Sequence, residues 1–209
     1  MTGPLAGYKV IDLTTMVAGP FATMLLGDQG ADVIKVEIRG RGDHVRATAN
    51  QQGGFSASFL NNNRNKRSIT LDLKRPEGRD LLHRLAASAD VLVQNFRPGV
   101  VERLGIAEAD IRPLAPKLIY ISMSGFGNNG PYVHKPVYDP IIQAVSGLAS
   151  VQGGGDNLRP RLVRTVVPDK VTALTATQAI TAALLARERS GEGQHITLNM
   201  LDAMMQFLW

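Results

Sequence analysis

The 209-residue sequence contains no cysteine, which removes disulfides, thiolate nucleophiles and Cys-based zinc sites together. Aromatic residues are scarce at 5%, and neither basic cluster, Arg64–Arg67 or Arg159–Arg164, is interleaved with them. The net charge of +5 therefore does not point to nucleic acid, which is read with basic side chains and stacking rings. A small polyanionic ligand accounts for the excess. No apolar run is long enough to span a bilayer, and residues 1–9 lack a signal-peptide layout. No membrane association and a cytoplasmic location are the expectations. His44, His83, His134 and His195 show no metal-ligand spacing, so no metal is expected. With 44% hydrophobic and 20% charged residues, the chain reads as one globular domain able to bury a core.

Apolar runs and helical patterns alternate along the chain. Strands are expected at Lys9–Leu13, Asp32–Glu37, Ser68–Leu73, Asp90–Gln94, Leu118–Met123 and Gln194–Leu198, and helices at Pro20–Gly30, Pro76–Ala87, Pro98–Leu104 and Val137–Ser150. Buried strands joined by helices predict an α/β fold: a doubly wound, mainly parallel sheet of Rossmann-like topology. Two stretches, Arg39–Gly54 and Asn61–Arg67, are rich in turn formers and charge and read as loops.

Several glycine motifs fail their chemical tests. Gly125–Gly130 matches G-x-G-x-x-G after a strand, but Pro131 follows where a helix should open to receive a pyrophosphate. The first strand–helix turn, Thr14–Pro20, has one glycine where a dinucleotide site needs three. Glu37 is accordingly read as a structural carboxylate and not a ribose ligand. Gly153–Gly155 lacks the Lys-Ser/Thr of a phosphate loop. Asn95–Gly99 follows a core strand at its carboxyl end, where parallel sheets bind ligands, yet it also reads as a turn with Pro98 opening a helix.

The longest helical pattern begins after the β-branched run Val163–Val167. Pro168 and Asp169 open it, Val171, Leu174, Ala176, Ala179, Ile180, Ala183 and Leu184 give its apolar spacing, and Arg187 and Arg189 close it. Asp169 has two readings. One is an N-cap with an ordinary depressed pKa, which spacing alone favours. The other is an ionised carboxylate at a strand-to-helix junction, able to attack a carbonyl carbon.

Five blocks occur in order: DLTTMVAGPFATMLLGDQGADVIKVE, NKRSITLDLK, DVLVQNFRPGVVERLG, SGFGNNGP and the Asp169 helix with RSGEGQHITLNMLDA. Together they resemble the class III CoA-transferases, the family that includes formyl-CoA and carnitine CoA-transferases and the α-methylacyl-CoA racemases. The resemblance implies that Asp169 is the catalytic carboxylate, attacking an acyl-CoA to give a mixed anhydride, then an aspartyl-CoA thioester, before a carboxylic acid acceptor completes the exchange. It places Val17, Ala18, Arg39, Leu71, Lys74, Asn95, Phe96 and Arg103 along coenzyme A, with Tyr138 and Asp139 as active-site neighbours. Racemases of the superfamily carry a His-Asp pair where this chain has Tyr138 and Asp139. A phenol with a reference pKa near ~10 is a poor proton shuttle at neutral pH, so transfer is favoured over racemisation. Family members are about twice this length and form interlocked dimers. The resemblance thus implies that residues 1–209 are the CoA-binding, catalytic portion of a large domain, completed by a missing C-terminal half or a second copy. The alternatives are an acyl-CoA racemase or epimerase of the same superfamily and a non-catalytic CoA-binding fragment or subunit. The apolar end Met204–Trp209 is expected to lie under other protein.

Overall fold

The computed structural model describes residues 2–48, 50–155 and 157–209. In chain order the elements are β1 (Lys9–Asp12), α1 (Ala18–Asp28), β2 (Asp32–Glu37), β3 (Gln51–Gln52), β4 (Phe55–Ser56), α2 (Ala57–Asn63) and β5 (Lys66–Thr70). There follow α3 (Pro76–Ala87), β6 (Val91–Gln94), α4 (Val100–Leu104), α5 (Glu108–Ile111) and β7 (Ile119–Ser124). The last group is α6 (Asp139–Val145), α7 (Leu148–Gly153), α8 (Val167–Ser190), β8 (Gln194–Asn199) and α9 (Met200–Leu208).

Six strands form one sheet in the order β5-β2-β1-β6-β7-β8, every pairing parallel. The four expected core strands are therefore parallel, and the fold is the doubly wound α/β type. Helices cover both faces. On one, Ala18 and Ala22 of α1 and Ala173, Ala176 and Ile180 of α8 pack on Val10, Val91 and Ile119. On the other, Leu82 and Ala86 of α3 and Ile111 of α5 cover Ile11, Leu92 and Tyr120. Strand order reverses at β1, which pairs with β2 on one side and β6 on the other. In such sheets the crevice above that reversal is where ligands sit. Among the described residues no helix is long and apolar enough to cross a membrane.

Several expected boundaries move for identifiable reasons. Ser68–Leu73 is replaced by Lys66–Thr70, because register with β2 runs from Val33↔Lys66 to Glu37↔Thr70. The backbone then turns at Asp72, whose carboxylate accepts the Lys74 N–H. The two expected loops hold elements of their own: a 3-10 turn over His44–Ala47, the β3–β4 hairpin and α2, which Ser56 caps by accepting the Phe59 N–H. Ala49, inside the first of them, lies outside the described residues. Pro98–Leu104 shortens to α4, with Gly99 at a left-handed φ of 82° before it. The single helix expected over Val137–Ser150 splits into α6 and α7 at Gly147, φ 89°. The β-branched run before α8 forms no strand; the Val163 N–H is satisfied by the Gln143 side chain instead. Along α8, Leu174 faces solvent, while Thr172 and Thr177 lie inside. Their hydroxyls return bonds to the carbonyls of Pro168 and Ala173 four residues back, which removes the cost of burying them.

A buried ionic network fixes the β1–α1 turn. Asp12 is fully buried and accepts bonds from Thr14 N–H, Thr14 Oγ1, Thr23 Oγ1 and Lys66 Nζ. Lys35, in the middle of β2, is also buried. It donates to the Thr14 carbonyl at 2.7 Å and pairs with Asp43 at 3.0 Å. Burial pushes the Asp12 carboxyl up, but Lys66, Lys35 and the hydroxyl bonds outweigh it and hold the group well below the carboxylate range. Glu37 is engaged on both oxygens by Arg46, by Ser68 Oγ and by the Asp43 N–H. These contacts overcome its burial and bring it down to about 2. Its role in the structure is that of a structural carboxylate.

Candidate active site

Two adjoining cavities open at the carboxyl ends of the strands. The larger, about 690 Å³, is lined by Val17 and Ala18 from the start of α1, by Asn95, Phe96 and Arg103 beyond β6, by Tyr138 and Asp139, and by Asp169. The second, about 600 Å³, is lined by Arg39 after β2, Leu71 and Lys74 after β5, and again by Phe96 and Arg103. The structure thus gathers every candidate site residue that the resemblance named around one bipartite cleft. Thr15, His44, Phe96, Val100 and Arg103 border both parts. Arg39 and Lys74 are exposed at the far end, and Asp169 is partly buried at the near end.

The turn beneath the cleft is tightly specified. Asn95 joins two strands' ends: its Oδ1 accepts the Thr15 N–H at 3.0 Å and its Nδ2 donates to the Thr15 carbonyl at 2.8 Å. Its amide therefore braces the β1–α1 turn. Met16 adopts a left-handed φ of 71° there, a conformation uncommon for a non-glycine residue and held by its N–H bond to Asp43 Oδ1. Gly19 is required next, since a Cβ would stand 2.4 Å from the Thr14 Cβ. Gly125, from the failed G-x-G pattern, has a packing role too: a Cβ there would meet Val137 Cγ1 at 2.0 Å.

Asp169 is not the cap of α8. The helix begins at Val167 with Val166 at its N-cap, which makes no side-chain cap bond. Asp169 lies within the first turn, and its own N–H donates to Asp139 Oδ2 at 3.1 Å. A carboxylate from α6 thus does the capping, and the Asp169 carboxylate is left lining the cleft near the Ala18 N–H at the positive end of α1. Burial, and then the charge of Asp139, push Asp169 up to about 7, against the smaller opposing influences of Lys170 and the Ala18 N–H. The depressed pKa of the N-cap reading is not what this environment gives; burial and a like charge raise the group instead. Lys170 is turned aside: its Nζ donates to Asn62 Oδ1 at 3.1 Å and sits 3.4 Å over the Phe21 ring centroid.

Other lining residues are not assigned to the site from the sequence, although Arg97 belongs to the Asn95–Gly99 turn and His134 is among the four histidines tested for metal-ligand spacing. Arg97, His134 and Lys135 join the cleft around Asp169, and Lys135 Nζ lies over the Tyr132 ring, itself edge-on to Phe126. The remaining histidines have packed roles: His83 bonds the Gly105 carbonyl and His195 bonds Ser122 while standing edge-on to Tyr120. Among the described residues no group of three or more His, Asp or Glu is placed to hold a metal ion. Chemically, the cleft offers cations at an exposed end, a mixed apolar wall, and a partly protonated carboxylate at the inner end. That set suits an extended anionic ligand whose reactive group meets the carboxylate.

Comparison with known proteins gives a matching result over the whole length. The model of CoA-transferase family III matches residues 5–209. The chain is 43% identical over 206 residues to an acetyl-CoA:oxalate CoA-transferase of Acetobacter aceti, covering 99% of this chain and 53% of that protein. It is 44% identical to a succinyl-CoA:glutarate CoA-transferase of Mus musculus, covering 98% of this chain and 47% of that one. A crystal structure of a CAIB/BAIF family protein from Brucella suis superposes with a TM-score of 0.92 at 38% identity, covering 100% of this chain and 56% of the other. The chain spans about half the length of the curated relatives it matches.

Proposed function

The chain belongs to CoA-transferase family III, and from that premise we propose that it carries the catalytic cleft for moving CoA from an acyl-CoA donor to a carboxylic acid acceptor. Asp169 is the nucleophile in this reading. Its carboxylate oxygen bonds to the thioester carbonyl carbon, the C–S bond breaks, and CoA leaves as the thiolate. The thiolate then attacks the aspartyl carbonyl of the mixed anhydride, releasing the donor acid, and the acceptor acid reverses the sequence on its own behalf. Thioester energy is conserved throughout.

The observation that carries this reading is the placement of Asp169, a carboxylate relieved of capping duty and pushed up to about 7, at the inner end of a cleft with Arg39 and Lys74 at the other. Arg39 and Lys74 suit the phosphates of CoA, and Phe96, Leu71 and Val17 line the path its pantetheine arm would take. The oxalate and glutarate relatives suggest a dicarboxylic acceptor. Racemisation would need a proton shuttle near the α-carbon, and Tyr138 stands where a histidine would serve. Because the relatives are about twice as long, the catalytic unit we propose includes further protein closing over the cleft, from the matching remainder or from a second copy.

Thioester exchange with isotopically labelled CoA tests the nucleophile. Asp169→Asn leaves the cap on α8 untouched, because Asp139 supplies it. The expected result is a folded variant whose exchange falls by about 10³-fold or more, in line with loss of a covalent nucleophile. Near-normal exchange in that variant would overturn the assignment and leave a CoA-binding module.

A further inference from the structure

Asp139 occupies an unusual position for a second carboxylate. It is the first residue of α6, buried to 5% exposure, and neither of its oxygens is free. Oδ1 accepts a bond from Gln143 Nε2 at 2.6 Å, and Oδ2 accepts the Asp169 N–H at 3.1 Å. Gln143 is buried as well, and the same Nε2 reaches the carbonyls of Val163 and Thr165, while its Oε1 accepts the Val163 N–H at 2.8 Å. The Asp139 carboxylate is therefore clamped between α6, the segment entering α8, and the first turn of α8. It cannot swing away from Asp169.

Capping alone does not require this residue. For the bond to the Asp169 N–H alone, Asn caps about as well as Asp, and a neutral cap would spare the site a like charge. With Asp169 as the nucleophile proposed above, we propose that Asp139 is its positioning residue, fixing the Asp169 backbone and holding a negative charge against the carboxylate that acylation relieves. The balance of the step makes the relief explicit. The Asp169 oxygen bonds to carbon, the C–S electron pair departs on sulfur, no proton moves, and the negative charge leaves the neighbourhood of Asp139 with the thiolate. Repulsion present in the resting pair is absent from the acyl-enzyme. The other charged or titratable groups around Asp169 are Lys170, turned toward Asn62 and Phe21, and across the cleft His44, Arg97, Arg103, His134, Lys135 and Tyr138. α9 contributes Met200 to the lining, and α1 its N-terminal Ala18 N–H.

The test separates charge from capping. In the 209-residue chain labelled with ¹³C-carboxyl aspartate, Asp169 is assigned by its loss in Asp169→Asn and titrated by its carboxyl shift. Asp139→Asn keeps one acceptor oxygen for the Asp169 N–H, removes the charge and gives up the bond from Gln143 Nε2. The expected result is a titration midpoint for Asp169 lower by about one unit or more, as loss of an adjacent like charge gives. The acid limb of labelled-CoA exchange should move down by the same amount, and its plateau should fall about tenfold. Asp139→Glu, keeping charge and acceptor, should restore both to within about twofold. An unmoved midpoint in folded Asp139→Asn overturns the proposal. If instead the midpoint moves while Asp169→Asn still exchanges normally, the nucleophile reading is what fails. Should Asp139→Asn not fold, Asp139→Ser decides: it also offers a capping oxygen without the charge, the same downward movement of the Asp169 midpoint is expected, and an unmoved midpoint overturns the proposal.

Discussion

At Asp12, one buried carboxylate meets two lysines; at Asp169, two carboxylates meet and the neighbouring lysine is turned away. Both groups lie in the same cleft-forming end of the sheet, and both are built from helix or strand residues with little freedom. In the first, each charge has an opposite partner and several hydrogen bonds, so burial is compensated and the Asp12 carboxyl is held far below its ordinary range. In the second, compensation is incomplete and the carboxyl is pushed up to about 7. Matched charge makes a rigid turn, whereas mismatched charge makes a group that changes state near neutral pH.

Removing Asp12 should have the largest effect on stability. Asp12→Ala strands Lys66 without its carboxylate, while Lys35 keeps Asp43, and we expect a loss of about 3–5 kcal/mol, the usual cost of breaking a buried pair from one side. Urea unfolding followed by far-ultraviolet dichroism measures it; a loss below about 1 kcal/mol would dissolve the contrast.

Removing Asp169 should act in the opposite direction. Its native pKa of about 7 lies above the ordinary 3.8, so between those values the native state holds a proton that the unfolded state has released. Its contribution is therefore most favourable below about pH 4 and is lost as pH rises through about 7. Asp169→Asn should be more stable than wild type at pH 8, by about 1–2 kcal/mol since the open cleft tempers the shift. The two should converge toward pH 4. Parallel stability curves across that range would contradict an unmatched pair.

The exposed cations give the smallest effect. Arg39→Glu should weaken CoA binding by about tenfold at low salt, roughly 1.4 kcal/mol, and by much less at 0.5 M salt, because surface charges are screened. Calorimetry at the two salt concentrations reads the difference. Salt-independent weakening would mean that Arg39 acts through packing and not through charge.

Much of this architecture was legible because it depends on local patterns. Asp32–Glu37 and Pro76–Ala87 are read to the residue, since β-branched runs and an N-terminal proline report directly on backbone preference. α2 was hidden by its composition: Asn61, Asn62 and Asn63 look like turn residues, yet the Asn62 and Asn63 side chains bond the carbonyls of Ser58 and Phe59 and close the helix. Lys35 sits in a strand that otherwise reads as core, and nothing nearby in sequence reveals that Asp12 and Asp43 await it. The state of Asp169 was equally hidden. Its cap and its like-charge neighbour are the same residue, thirty positions earlier, and a distance in sequence of that kind leaves no periodic trace. The cleft itself was read through resemblance, residue by residue; spacing alone left Asn95 and Asp169 with ordinary turn and cap roles.

The sole tryptophan, Trp209, stands 96% exposed just after α9, whereas Tyr120 is buried near the start of β7. Light emitted by the indole consequently reports on the water around the tip of one helix. The sheet can melt while that signal scarcely changes colour, and anything that settles over α9 shifts it to the blue while the sheet remains as it was. Tyr120 behaves oppositely, shielded from events at the surface and sensitive to the core, whereas Tyr132 and Tyr138 are exposed and answer to solvent. With the three other tyrosines replaced, the chain would carry one optical probe for what touches it and one for whether it is folded.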